Sequence, residues 1–257
     1  MNRIKRAFEQ KKPLISIYAT AGFPALDDTV EVIQSLEAAG ADMIEIGLPF
    51  SDPLADGPTI QQSSTKALEN GMSTKVLFEQ LEGIRDSVSI PLIIMGYFNP
   101  VLQFGVAEFC EACEKAGIDG LILPDLPLEI YTRDYQQLFE RHGLSMIFLI
   151  TPQTSESRIR AIEAASNTFI YMVSSSSTTG STAGFSESNM AYFKRIADMN
   201  LSVETLVGFG IADALTFSQA SQYSRGAIIG SAFIRHLEER GTPHIAEFIN
   251  ALNAKHV

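Results

Sequence analysis

The sequence predicts an α/β chain folded as a (β/α)8 barrel, with an extra N-terminal helix and extended loops after the second and sixth strands. Eight short apolar runs rich in β-branched residues mark the strands, at 14–19, 42–47, 92–96, 120–124, 144–150, 168–173, 203–208 and 226–230. Segments with a helical apolar period lie between them, for example at 27–39, 75–87, 106–116, 129–141 and 156–165, most of them closed by Gly or Asn. That spacing suits parallel strands, which need crossovers of roughly a dozen residues or more. No Pro- or Gly-rich linker divides the chain, so residues 1–257 read as one domain. An open doubly wound sheet is the alternative. It usually has fewer strands, and its G-x-G-x-x-G turn is absent after the first run.

With 46% apolar and 19% charged side chains, the chain has enough material for a large core. Thirty acidic residues against nineteen Lys and Arg leave a formal charge of -11, which argues against a general nucleic-acid binder. No apolar run approaches the roughly 18 residues of a membrane span, so a cytoplasmic location is expected.

The elements can be justified in order. MNRIKRAFEQ reads as an amphipathic helix whose Ile4, Ala7 and Phe8 would cap the bottom of the barrel. In DMIEIG, alternation sends Ile44 and Ile46 toward the helices and Met43, Glu45 and Gly47 inward. A carboxylate near the mouth of an apolar barrel is partly desolvated, which raises its pKa toward the range useful for a general acid or base. The alternative is pairing with a buried Lys or Arg, and no strand supplies an obvious inward cation. The next loop, PFSDPLADGP, carries Asp52 and Asp56 as turn formers or as catalytic acids.

Cys110 and Cys113 form a C-x-x-C pair inside an amphipathic helix. With no second pair, they read as small buried residues, and no metal site is expected. The four histidines fall in charged, helix-like or tail segments where no His-based triad assembles. Tyr171 sits near the end of the sixth strand, where its hydroxyl could meet a ligand or its ring could simply pack. The segment 174–184 holds five Ser, three Thr, two Gly and one Ala, and directly after a barrel strand it reads as a mobile lid. Gly210, Gly230 and Ser231 follow the seventh and eighth strands, where barrels commonly bind phosphate through backbone N–H groups; ordinary tight turns are the alternative.

Several ordered motifs then point to a family. The stretch IEIGLPFSDPLADGPTIQ (44–61), with MGYFNP, LPDLP, IYMVSSSSTTG, GFGI and IIGSAF, resembles the alpha subunit of tryptophan synthase. The resemblance implies retro-aldol cleavage of indole-3-glycerol phosphate to indole and glyceraldehyde 3-phosphate. It implies no metal or organic cofactor in this chain. Glu45 would be the acid–base glutamate, Asp56 the aspartate facing the indole N–H, and Tyr171 the active-site tyrosine. Tyr18, Met95, Tyr97, Leu123, Thr179 and Phe209 would surround the substrate, and Gly180, Gly210, Gly230 and Ser231 would bind phosphate.

The resemblance further implies a pyridoxal-phosphate-dependent beta subunit as partner, in an alpha–beta–beta–alpha heterotetramer, contacted through Pro49, Asp52, Asn99 and Pro127. Two departures stand out. Ser175-Ser176-Ser177 replaces an Arg-x-Gly common in the sixth loop, and Phe23 occupies a position that is often acidic. The competing readings are another phosphate-binding barrel enzyme and a catalytically idle barrel kept as a scaffold.

Overall fold

The computed structural model describes residues 2–53, 56–174 and 184–253. Its strands are β1 (Leu14–Thr20), β2 (Met43–Gly47), β3 (Leu92–Met95), β4 (Gly120–Ile122), β5 (Ser145–Met146), β6 (Leu149–Ile150), β7 (Phe169–Val173), β8 (Glu204–Gly208) and β9 (Gly226–Ile229). They hydrogen-bond in the order β5-β4-β3-β2-β1-β9-β8-β7-β6. β5 and β6 are two pieces of the run expected as one strand at 144–150. Across the break, Ile147 N–H donates to the Leu121 carbonyl and Tyr171 N–H donates to the Phe148 carbonyl, both at 2.9 Å. The segment thus hands its pairing from β4 to β7 and closes the ring, which gives the eight-stranded barrel.

Parallel pairing fixes which side chains face inward. Tyr18, Glu45, Ile93 and Gly120 are register partners across β1 to β4, and Thr20, Gly47, Met95 and Ile122 form the next tier toward the C-terminal mouth. Buried apolar residues from Ile4 to Leu252 make one contiguous core around and inside this ring.

Two predicted helices are interrupted. The 75–87 segment is the helix Thr74–Gln80 followed by a 3-10 turn Ile84–Asp86, because Gly83 adopts a left-handed φ of 73° between them. The 129–141 segment contains a π turn at Tyr131–Tyr135 before the helix Gln136–Arg141. After β2 the extended loop gives way to the helix Pro58–Glu69, with Pro at its first position.

The helix Arg3–Phe8 covers the barrel floor as expected. The Asn2 side chain caps it by accepting from Ile4 N–H at 2.8 Å, and Ile4 is fully buried. A Cβ placed on Gly120 would meet Ile4 Cδ1 at 3.2 Å, so the helix rests on the inner end of β4. Asp119, just before β4, fastens this floor. Its carboxylate accepts from Arg3 at 3.0 Å, from Arg85 at 2.6 Å and from Leu92 N–H at 3.0 Å. Removing it leaves the half-buried Arg85 guanidinium without its carboxylate, so Asp119→Ala is expected to destabilise the fold by about 3 kcal/mol. Urea unfolding reads this directly; a loss below about 1 kcal/mol would show that the surrounding carbonyls suffice.

Candidate active site

Glu45 lies on the inner wall with no exposed surface, and burial pushes its carboxyl up from 4.5 to about 8, opposed by a contact with Ser16. Among the described residues no cation pairs with it. Oε1 lies 3.5 Å from Ser16 Oγ, and Oε2 has no hydrogen-bond partner among the described residues. The buried ion pair weighed from the sequence is therefore not what the structure contains.

Asp56 stands above this wall, after two residues outside the described set. Its Oδ2 accepts from the Tyr97 hydroxyl at 3.2 Å. Burial raises its carboxyl too, while the Tyr97 hydrogen bond pulls it back. A cleft brings Asp56 together with Tyr18, Met95 and Tyr97, closed by Leu48, Phe50 and Pro124.

Tyr18 and Tyr171 complete the cluster. Both are held well above the usual phenol range, first by burial and then by the two carboxylates: Asp56 is the larger influence on Tyr18 and Glu45 the larger on Tyr171. They are therefore neutral hydroxyls within the electrostatic reach of both acids. Each ring lies against a glycine. A Cβ on Gly47 would fall 2.1 Å from the Tyr18 hydroxyl oxygen, and one on Gly208 would fall 2.0 Å from that of Tyr171. Phe209 stacks edge-on to Tyr171 at 6.2 Å between ring centroids.

The candidate phosphate positions lie at one end of adjacent strands. Gly208 pairs with Ile228, so Gly210 and Gly230 each sit two residues past a register pair. Phe209 and Gly210 both have positive φ, 66° and 75°, which for Phe209 is a strained backbone. Ser174 Oγ steadies that turn by donating to the Phe209 carbonyl at 2.7 Å. Gly230 precedes the helix Ser231–Arg240 and offers no side-chain cap, which leaves the first N–H groups available to an anion.

Two expected site residues lie elsewhere. Leu123 is packed outside the barrel wall, in a second cavity shared with Phe148, Thr154, Arg158 and Ile162. The register puts Gly120 and Ile122 inward, so alternation turns Leu123 toward the helices, and Ile122 is the inward residue beside Met95. Pro49 is buried in the chain, because the preceding Leu48 still hydrogen-bonds to Met95 at 2.8 Å and holds the segment to the barrel. It therefore presents little surface to a partner, whereas Asp52, Asn99 and Pro127 are exposed. Thr179, Gly180 and the Ser175-Ser176-Ser177 departure, with the body of the expected lid, lie outside the described residues.

Phe23 is buried and has the Lys66 ammonium 5.1 Å from its ring centroid. Cys110 and Cys113 are free and buried in the helix Val106–Ala116, with both thiols raised by burial. Among the described residues no group of three His, Cys, Asp or Glu could hold a metal ion. Sequence reasoning missed Ser16, Ile122 and Ser64, which borders the cleft. Only the inward phase of β1 and β4 could have revealed the first two.

Comparison with known proteins agrees with this geometry. The family model described as tryptophan synthase alpha chain matches residues 4–256. The tryptophan synthase alpha chain of Flavobacterium psychrophilum is 61% identical over 252 residues, covering 98% of this chain and 100% of its own. That of Christiangramia forsetii is 61% identical over 254 residues, covering 99% of each. Among solved structures, tryptophan synthase subunit alpha from Legionella pneumophila has a TM-score of 0.89 at 31% identity, covering 98% of this chain and 97% of its own. The tryptophan synthase complex from Pyrococcus furiosus has a TM-score of 0.84 at 28% identity, covering 94% and 98%. A buried glutamate and a partly buried aspartate that both act on Tyr18 and Tyr171 in the barrel, in a chain matched along nearly its whole length, lead to one conclusion: the chain belongs to the tryptophan synthase alpha chain family.

Proposed function

We propose that Glu45, Asp56 and Tyr171 carry out this family's reaction in one barrel domain spanning residues 1–257. The alpha chain is a carbon–carbon lyase that cleaves indole-3-glycerol phosphate to indole and glyceraldehyde 3-phosphate in tryptophan biosynthesis. It pairs with the beta subunit in a heterotetramer; pyridoxal phosphate belongs to that subunit, and the alpha chain needs no cofactor.

The observation that carries the assignment is Glu45 itself, buried, unpaired with any described cation, and held near 8. At neutral pH it is mostly protonated and can act as an acid. Glu45 delivers its proton to indole C3 while Asp56 accepts the N1 proton, which produces the indolenine. The pair of electrons in the bond from C3 to the glycerol carbon then moves into the ring as that bond breaks. The hydroxyl on the departing carbon becomes the aldehyde and returns a proton to Glu45, and N1 recovers its proton from Asp56. Protons and electrons balance, and no metal is needed.

Tyr18, Met95, Tyr97 and Phe209 would enclose the indole ring, with Tyr171 beside the reacting carbons. Gly210, Gly230 and Ser231 would bind the phosphate. Asp52, Asn99 and Pro127 would meet the beta subunit. No helix among the described residues is long and apolar enough to cross a membrane, and we place the enzyme in the cytoplasm, where biosynthesis of this kind would run.

Incubation of the purified chain with indole-3-glycerol phosphate, alone and with a beta subunit, tests the reading. Indole and glyceraldehyde 3-phosphate should appear in equal amounts and faster with the partner. Absence of indole under both conditions would leave an idle scaffold as the better account.

A further inference from the structure

The Glu45 carboxylate has one polar anchor among the described residues, and it comes from the floor side of the barrel. Ser16 lies on β1 two residues before Tyr18, the register partner of Glu45, and is therefore on the same inward face one pleat lower. It is fully buried, and its own register partners, Met43 and Ile228, are apolar. Barrel interiors are usually filled by bulky branched side chains, so a serine here gives up packing volume in exchange for a hydroxyl. That hydroxyl meets Glu45 Oε1 at 3.5 Å while Oε2 has no partner among the described residues.

We propose that Ser16 is a positioning residue for Glu45: its hydroxyl donates to Oε1, fixes the carboxyl rotamer, and leaves Oε2 as the oxygen that exchanges a proton with the substrate. The same donation works in both protonation states, since Oε1 accepts either as the carbonyl oxygen of the acid or as part of the carboxylate. It is stronger to the carboxylate, so it holds the proton affinity of Glu45 below the level that burial alone would set. The other titratable groups that interact with Glu45 are Tyr18 from β1 and Tyr171 from β7, and both tyrosines also feel Asp56 from the loop after β2. Both tyrosines stay neutral near physiological pH and no described cation competes, so Ser16 is the group that can set this balance. The proposal rests on the assignment of Glu45 to the reaction, and the experiment separates the two.

Ser16→Ala and Ser16→Cys are compared with wild type, and Glu45→Gln serves as the spectroscopic control. The infrared carboxylic-acid band that disappears in Glu45→Gln is titrated in the ligand-free protein, and kcat and KM for indole release are measured across pH. In Ser16→Ala the band midpoint should move up by about half a pH unit to one unit. The alkaline limb of the rate profile should move with it, and kcat should fall about three- to tenfold with KM changed less than about twofold. The thiol, a weaker donor, should fall between. Urea unfolding confirms that each variant is folded. A wild-type midpoint in Ser16→Ala, an unchanged kcat, or a loss confined to KM overturns the proposal. The band titrates whether or not Glu45 is catalytic, so an active Glu45→Gln enzyme would overturn the assignment of Glu45 while leaving the Ser16 contact measurable.

Discussion

Glu45→Gln should cut indole release by roughly 10²- to 10⁴-fold, the usual contribution of a positioned acid or base, and should also flatten the dependence of stability on pH. The first effect follows from chemistry, because an amide cannot deliver a proton to indole C3. The second follows from linkage. Burial raises the Glu45 carboxyl from 4.5 to about 8, so the folded state binds this proton more tightly than the unfolded chain does. The group is least harmful below its unfolded value, and stability is lost progressively as pH rises from 4.5 toward 8. A difference of that size amounts to no more than about 5 kcal/mol at alkaline pH. Glutamine does not titrate and should lack this slope, whatever offset its amide adds. Urea unfolding of both proteins across pH isolates the Glu45 contribution, because every other group is shared. Near-normal turnover in the variant would remove Glu45 from the reaction, and parallel stability curves would contradict its burial in an apolar wall.

The inward aim of Glu45 was legible because in MIEIG it is the one charged residue, flanked by Ile44 and Ile46 on the opposite face. The floor helix was legible in the same way from Ile4 and Ala7. Leu123 was misplaced because Leu121, Ile122 and Leu123 are all apolar, as in strands buried on both faces, and local alternation then carries no phase. The phase comes from pairing of Met95 with Ile122, a contact between segments remote in sequence. Ser16 escaped notice for the complementary reason: within LISIYAT it resembles an incidental small polar residue until β2 is laid beside it. Gly47 and Gly208 are the last residues of the predicted strands 42–47 and 203–208. The structure shows that each also makes room for a tyrosine of the site, since an added Cβ would collide with the hydroxyls of Tyr18 and Tyr171. The break between β5 and β6 was hidden because a continuous apolar run does not reveal that its two ends pair with different neighbours.

Asp56→Asn is expected to lower kcat by roughly 10²- to 10³-fold, with KM changed far less. The asparagine carbonyl can still accept the Tyr97 hydroxyl that now reaches Oδ2 at 3.2 Å, so the loop retains its anchor and the ring its seat. What disappears is the negative charge that takes up the N1 proton as C3 is protonated. Burial already raises the Asp56 carboxyl, and the Tyr97 hydrogen bond opposes this by favouring the ionised form. Tyr97→Phe should therefore raise the Asp56 carboxyl further and move the acid limb of kcat/KM to higher pH, with a milder loss of rate. In Asp56→Asn that limb should be absent. Combining the two changes closes a double-mutant cycle: if Tyr97 acts through Asp56, adding Tyr97→Phe to Asp56→Asn should cost almost nothing more. Full additivity would mean that Tyr97 contacts the substrate independently. A rise in KM with kcat untouched in Asp56→Asn would mean that the carboxylate seats the indole ring and takes no part in moving its proton.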